Sequence, residues 1–410
     1  MFSYLLDEKG LKLQKEVKEF VKSVPHDLIR ELDMEKIRYP RDFVRELGRK
    51  GLLGLRFPEQ YGGRGLPWTH ELIAMEEIGT LGASLGCAFA MPSIVGECLV
   101  RFGTQKQKEK YLVPMLKGEI VAAEALTEPR GGSDFFGAVT TARRVGNEYE
   151  IKGAKRFIVG AQEADFFVVY ARTGEEGDHP KKSISLFIVE RQMGVKVEYL
   201  YGLLGARGGG TGRVVFNNIR VPEDNIVGEL HGGAEIFDRM MIPERLTSAG
   251  GALGAGRAAL EVAAKYSMKR KAFGRTIREF QAVSFSIADA VSKMDSARAL
   301  AWVAAKSVDS GIDSRRIVSE AKKICTEAAW ETVNRAMQVM GGIGYTTVYP
   351  VERLLRDIRL MLIWTGTNEI MNLLIQHEYY RELIKEMEMG EGRDIEKDAI
   401  DGSEEEKVFE

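Results

Sequence analysis

The chain has 410 residues, 44% hydrophobic and 29% charged, enough for two to four domains and a core that needs no staples. Its 58 basic and 60 acidic residues leave a net charge of −2, which excludes nucleic-acid binding by bulk positive charge and a polybasic membrane surface. Cys87, Cys98 and Cys325 have no CxxC spacing and the five histidines are scattered, so neither a disulfide framework nor a metal site is expected. With no signal-like N-terminus and no long apolar run, the expectation is a cytoplasmic protein with no membrane span.

Residues 1–122 read as an N-terminal helical domain. In LKLQKEVKEFVKSV, Leu11, Leu13, Val17, Phe20 and Val21 recur at helical spacing. PRDFVRELGRKGLLGL opens on a helix-starting proline and stops near Gly51 and Gly54. Thr104 is placed to cap TQKQKEKYLVPMLKGE. Residues 123–232 change to short runs rich in Val, Ile, Phe and Tyr (EYEIKG, DFFVVYAR, SISLFIVE, GRVVFNNIRV) separated by Gly-rich turns. They predict a β-barrel or sandwich. Residues 233–385 return to long amphipathic helices, a four-helix-bundle-like domain. Gly250, Gly251, Gly254 and Gly256 within one of them predict a close-packed neighbouring backbone. The acidic stretch 386–410, with few apolar residues after Met389, is expected to be disordered. The fold class is thus α+β and multidomain.

Four strings stand out, each with an ordinary structural reading. Ala125–Asp134 (ALTEPRGGSD) is a turn after a strand, or a cradle of backbone N–H groups for phosphate or flavin. Gln338–Tyr345 (QVMGGIGY) is a helix C-terminus and loop. Arg270–Arg275 (RKAFGR), followed by Phe280 and Gln281, is a basic loop or a pyrophosphate contact. Ile363–Ile370 (IWTGTNEI) is a helix junction.

In this order, across an α–β–α layout, the four strings resemble the acyl-CoA dehydrogenase family over about residues 5–385. Only Val348, where an acidic or amide residue is usual, departs from the second signature. The resemblance implies FAD held noncovalently between the β domain and the C-terminal bundle. It also implies oxidation of an acyl-CoA thioester at Cα–Cβ, with a carboxylate taking the α-proton and flavin N5 the β-hydride. Carried over by position, Thr127 and Ser133 lie against the flavin and the phosphates or thioester, and Phe157 is the aromatic against the isoalloxazine. Arg270, Phe273 and Gln281 reach FAD, Thr367 and Glu369 flank the FAD phosphate or adenine end, and Gln338, Gly341 and Gly342 come from a neighbouring subunit to contact the adenosine pyrophosphate. Met91 lies along the acyl tail, Arg245 near the CoA and base region, and Trp364 beside the reacting centre, where its bulk favours branched or cyclic acyl groups. The family also implies a homotetramer with FAD sites shared across subunits, and electron-transfer flavoprotein as electron acceptor.

Three departures matter. Thr365 stands where the family's usual base, a Glu, precedes Gly-Thr. A hydroxyl cannot take the α-proton, although the Thr365 backbone N–H remains available to the thioester oxygen. The isovaleryl-CoA and long-chain subset instead carries its base in a Glu-Arg-Leu string, matched here by Glu244-Arg245-Leu246. Taken alone, Glu244 after Pro243 reads as an ordinary first-turn helix acid; with Thr365 it reads as the base. Val159 replaces a Thr whose hydroxyl bonds flavin N5, and Arg130, replacing a small residue, could approach a CoA phosphate but is expected to face solvent. Some relatives lacking the usual base use an acid in the acyl-pocket region; no Asp lies near Met91, which counts against that variant, and Glu97, the closest acid, is not at the expected place. The competing readings are an alicyclic acyl-CoA dehydrogenase with another base, a desulfinase, and a non-catalytic flavoprotein-like subunit.

Overall fold

The computed structural model describes residues 3–175, 177–312, 314–390 and 395–398. The N-terminal helices are α1 (Glu8–Ser23), α2 (His26–Asp33), α3 (Arg41–Arg49), α4 (Trp68–Gly79) and α5 (Ala83–Phe102). They are followed by α6 (Gln105–Gln107), a π-helical turn (Lys108–Leu112) and α7 (Val113–Leu116). Asp7 caps α1 through the Gly10 amide, and α1 buries Leu13, Val17 and Phe20, one stripe at i, i+4 and i+7. Leu11 falls off that stripe and stays exposed. Thr104 caps α6 in a reciprocal pair with Gln107. α5 is long and apolar enough to cross a bilayer, but most of it is buried inside the protein, so it is a core helix.

The middle strands are β1 (Ala122–Ala125), β2 (Thr141–Val145), β3 (Glu148–Ile158), β4 (Phe166–Arg172), β5 (Ile184–Glu190), β6 (Lys196–Leu200), β7 (Gly212–Pro222) and β8 (Ile226–Val227). They pair in the order β6-β7-β3-β2-β4-β5-β8, with β1 added to β4 in parallel. β2 joins the two halves through a single pair, Thr141 with Arg172. β4 and β5 are buried on both faces, and for that reason they read as continuous apolar runs rather than alternating ones.

The C-terminal part begins with α8 (Gly233–Lys269), then a small hairpin of β9 (Lys271–Ala272) and β10 (Arg275–Thr276). α9 (Gln281–Asp309), α10 (Arg315–Met340), α11 (Val351–Met361) and α12 (Asn368–Met389) complete it. α12 runs four residues into the stretch 386–410 that composition marks as disordered. Those four residues are Glu and Met, which continue a helix readily, and Gly390, at φ 64°, ends it. Most of that tail beyond Gly390 lies outside the described residues.

Gly250, Gly251 and Gly254 of α8 meet α4 of the same chain, while Gly256 faces Met294 of α9 and Ala329 of α10. A Cβ on Gly254 would lie 2.3 Å from the Glu76 carbonyl oxygen, and one on Gly79 would lie 2.7 Å from the Gly251 carbonyl oxygen. Both would overlap backbone, which cannot swing aside. Gly254→Val is therefore expected to destabilise the protein by about 1–3 kcal/mol, more than the roughly 0.3–0.5 kcal/mol of helix propensity that exchanging glycine for valine returns. Urea unfolding at equal protein concentration measures the difference. The seam matters for the site because Glu244, Ser248 and Gly251 share one length of α8.

Candidate active site

One cavity of about 560 Å³ opens where the three parts meet, within the range of ligand sites. α5 contributes Cys87, Ala90, Met91 and Ile94, an apolar wall. β1 and the loop after it contribute Glu124, Leu126, Thr127, Ser133 and Phe135. The end of β3 supplies Arg156, Phe157, Ile158 and Val159. α8 supplies Phe237, Met241, Glu244, Arg245 and Ser248, and the loop between α11 and α12 brings Trp364, Thr365, Gly366 and Thr367.

Ten of the residues singled out from sequence thus line one space: Met91, Thr127, Ser133, Phe157, Val159, Glu244, Arg245, Trp364, Thr365 and Thr367. Seven lie outside it on the surface of the chain. Arg270, Phe273, Gln281, Gln338, Gly341, Gly342 and Glu369 are all exposed, Phe273 by 94%. Phe157, Phe273 and Thr365 have φ of 58°, 52° and 54°. That region is uncommon for non-glycine residues, and Phe157 and Thr365 adopt it where they line the cavity.

Glu244 does not begin a helix. It sits well inside α8, which starts at Gly233 and carries Pro243 in its interior. The first-turn reading is therefore corrected: Pro243 looks like a helix start in sequence but does not act as one. Glu244 is half-buried, its open side facing the cavity. Burial pushes its carboxyl up from the ordinary value, against a hydrogen bond with Glu124 and the charge of Arg245. Thr365 donates to or accepts from Ser248 Oγ at 3.2 Å, so its hydroxyl is tied to α8.

The loop 127–137 is pinned from beneath. Glu128 accepts from the Val139 and Thr140 amides at 2.6 and 3.0 Å, and from Lys155 Nζ at 2.9 Å. Lys155 also donates to the Leu126 carbonyl at 3.1 Å. Burial opposes charge on Glu128, but Lys155 and these donors outweigh it and hold its carboxyl below the usual range. The Glu of the Leu-Thr-Glu-Pro string is thus a structural anchor, and Thr127 and Ser133 face the cavity above it. Arg130 faces solvent and pairs with Asp134 at 2.6 Å. The loop carrying Thr365 is held by Lys322, whose Nζ donates to the Gly366 carbonyl at 2.9 Å and to Asn368 Oδ1 at 2.8 Å. Burial lowers Lys322 to about 7.

Glu97, the acid nearest Met91 in sequence, stays out of the cavity, buried in ion pairs with Arg56 and Arg101. One cavity acid escaped sequence reading: Glu124, which lines the space together with Glu244. The signal was present, a single acid in the apolar run Val-Ala-Ala-Glu-Ala-Leu.

The lining fits FAD. Its walls are aromatic and apolar, hydroxyls stand at Thr127 and Ser133, and three buried donors there, Arg156 Nε, Arg245 Nε and Trp364 Nε1, have no hydrogen-bond partner within the chain. Buried donors without acceptors are costly unless a ligand supplies them. Among the described residues no cluster could hold a metal ion.

Comparison with known proteins agrees. Residues 7–119, 123–219 and 231–380 match the N-terminal, middle and C-terminal domains of acyl-CoA dehydrogenase. An acyl-CoA dehydrogenase of Bacillus subtilis is 37% identical over 83% of this chain and 90% of its own length. Isovaleryl-CoA dehydrogenase of Solanum tuberosum is 37% identical over 82% of each, and a 3-(aryl)acrylate reductase of Clostridium sporogenes is 35% identical over 88% and 96%. The structure of butyryl-CoA dehydrogenase from Megasphaera elsdenii superimposes with a TM-score of 0.88 at 30% identity, covering 92% of this chain and 99% of that one. With three consecutive domains matched and a cavity at their junction fitted to a flavin, the chain belongs to the acyl-CoA dehydrogenase family of FAD-dependent oxidoreductases.

Proposed function

We propose that the protein oxidises a hydrocarbon acyl-CoA thioester across Cα–Cβ, with Glu244 removing the α-proton. The observation that carries this is the complementarity of two cavity residues. Thr365 stands at the usual base position with its hydroxyl tied to Ser248, while Glu244 turns a carboxyl of raised pKa into the same cavity. A carboxyl moved toward working pH is a better proton acceptor for a weak carbon acid than an ordinary one. Bound FAD supplies the hydride acceptor.

Thr127, Ser133, Phe157 and Thr367 hold the flavin, and the Val159 backbone N–H remains at the position where the side-chain hydroxyl is lost. The Thr365 backbone N–H is assigned to the thioester oxygen and Arg245 to the substrate. Met91 and its apolar neighbours take the acyl tail, and Trp364 beside the centre favours a branched or cyclic group. The exposed set at Arg270, Phe273, Gln281, Gln338, Gly341, Gly342 and Glu369 supports a homotetramer in which these residues complete FAD sites at subunit contacts. Electron-transfer flavoprotein would then reoxidise the flavin, and the cytoplasm remains the proposed location.

The test is anaerobic titration of the FAD-loaded protein with butyryl-, isovaleryl-, octanoyl- and cyclohexanecarboxyl-CoA. Bleaching of the oxidised flavin band is expected with at least one, most readily a branched or cyclic one. A bound flavin that none of them bleaches would overturn the reading in favour of other flavin chemistry.

A further inference from the structure

Glu124 is the acid of β1, 9% exposed, and its side chain reaches the cavity beside Glu244. Glu124 and Glu244 line the same cavity from β1 and α8, and each carboxyl acts on the other as a hydrogen-bonding neighbour. Two carboxylates there repel, and neither has a proton to donate. One proton between them turns the contact into a short, charge-assisted hydrogen bond. Glu124 Oε1 is buried and receives no donor from elsewhere, so a charge on Glu124 would be poorly compensated.

The groups facing the pair decide which member keeps the proton. Lys155, on β3, favours charge on Glu124, but its ammonium is already engaged by Glu128 and the Leu126 carbonyl. Arg245, on α8, favours charge on Glu244. Cys87 and Cys98 on α5 and Tyr170 on β4 also face the pair, and burial pushes all three up so that they stay neutral. Asp238, also on α8, acts on Arg245 and Tyr170. Burial and the facing Glu244 charge drive the Glu124 carboxyl well above its ordinary value.

We infer that Glu124 and Glu244 hold one proton between them in the resting enzyme, carried on Glu124, whose O–H donates to the Glu244 carboxylate. Glu124 is then a positioning residue: it orients the base and keeps it ionised in an apolar cavity. In the proton-transfer step the substrate Cα–H bond breaks, the electron pair stays with the substrate, and the proton bonds to Glu244. The pair passes from one proton to two and loses its charge. This assignment rests on Glu244 being the base.

The experiment compares wild type with Glu124→Gln and Glu124→Leu, each loaded with FAD and matched for flavin content and thermal midpoint. The first readout is the rate of anaerobic flavin reduction against pH, using whichever of the four acyl-CoAs bleaches fastest. Gln keeps an N–H donor and is expected to leave the midpoint near that of wild type. Leu removes the donor, so the midpoint should move to higher pH, with about a tenfold loss of rate below it for each unit moved. A downward or absent shift in Glu124→Leu would overturn the inference, because it would mean that Glu124 carries charge or does not touch the base. The second readout needs no turnover. Infrared spectra of the substrate-free protein at neutral pH should show the carbonyl stretch of a neutral buried carboxyl in wild type and lose it in Glu124→Gln; its persistence would place the proton elsewhere. Glu244→Gln separates the two levels. If it spares flavin reduction, the base reading fails and this inference with it. If it abolishes reduction while Glu124→Leu leaves the pH profile in place, only the pairing fails.

Discussion

Glu244→Gln is expected to slow flavin reduction by acyl-CoA by about a hundredfold or more, the scale of a lost general base. The substitution keeps size and polarity, so FAD content and acyl-CoA affinity should hold; the loss should appear in the reduction rate and not in KM. Stopped-flow absorbance of the flavin band under anaerobic conditions reads this directly. The pH dependence follows from the same residue. Burial raises the Glu244 carboxyl, and the base works deprotonated, so reduction should climb as pH rises through that raised value and flatten above it. That limb should vanish in the variant. Glu244→Gln reducing at near wild-type rate would move the base elsewhere, and Glu124 is the cavity carboxyl then left to carry it. Thr365→Glu alone is not expected to raise the rate in wild type, because the base position on α8 is already filled.

Most of the architecture was legible because each part obeys a single dominant rule. α1 shows its stripe through Leu13, Val17 and Phe20, and β4 and β5 show themselves as unbroken apolar runs. The clustered glycines of α8 predicted a close backbone, and α4 is that backbone for Gly251 and Gly254. What local pattern could not supply was the environment of charged groups. Pro243 looks like a helix start, yet α8 begins at Gly233 because the helix runs through it. Glu97 and Glu124 are both acids near the acyl region in sequence or space. Only tertiary contact separates them, Glu97 neutralised by Arg56 and Arg101 and Glu124 facing another carboxyl. Likewise Glu128, the carboxylate of the Leu-Thr-Glu-Pro string, reads in sequence as part of a cofactor-cradling motif, and the structure gives it a different task.

That task sets the largest stability effect expected here. Glu128→Ala should destabilise the protein by about 3–5 kcal/mol, the range for breaking a buried ion pair by removing one partner. Lys155 has no exposed side-chain surface, so its ammonium would be left with the Leu126 carbonyl alone, and the Thr140 amide, in a residue fully buried, would lose its acceptor. The pH dependence has a definite sign. The Glu128 carboxyl is lower in the folded protein than its ordinary 4.5. Its contribution is therefore complete above that value and is lost as pH falls through the depressed folded value. Acid unfolding of wild type should steepen in that window, and Glu128→Ala should lack this component. Replacing both partners, Glu128→Leu with Lys155→Met, removes the stranded charge and should recover part of the loss, since apolar replacements of buried pairs are often well tolerated. Recovery should stay incomplete because the Val139 and Thr140 amides still lack the carboxylate, at roughly 1–3 kcal/mol for a buried donor left unsatisfied. FAD content should follow the amides and not the ion pair. The double variant should fold but hold flavin less tightly, because Thr127 and Ser133 sit on the loop those amides anchor. Differential scanning calorimetry together with flavin absorbance per protein separates the two effects. A double variant fully restored in both would mean that Glu128 matters only as a counter-charge to Lys155.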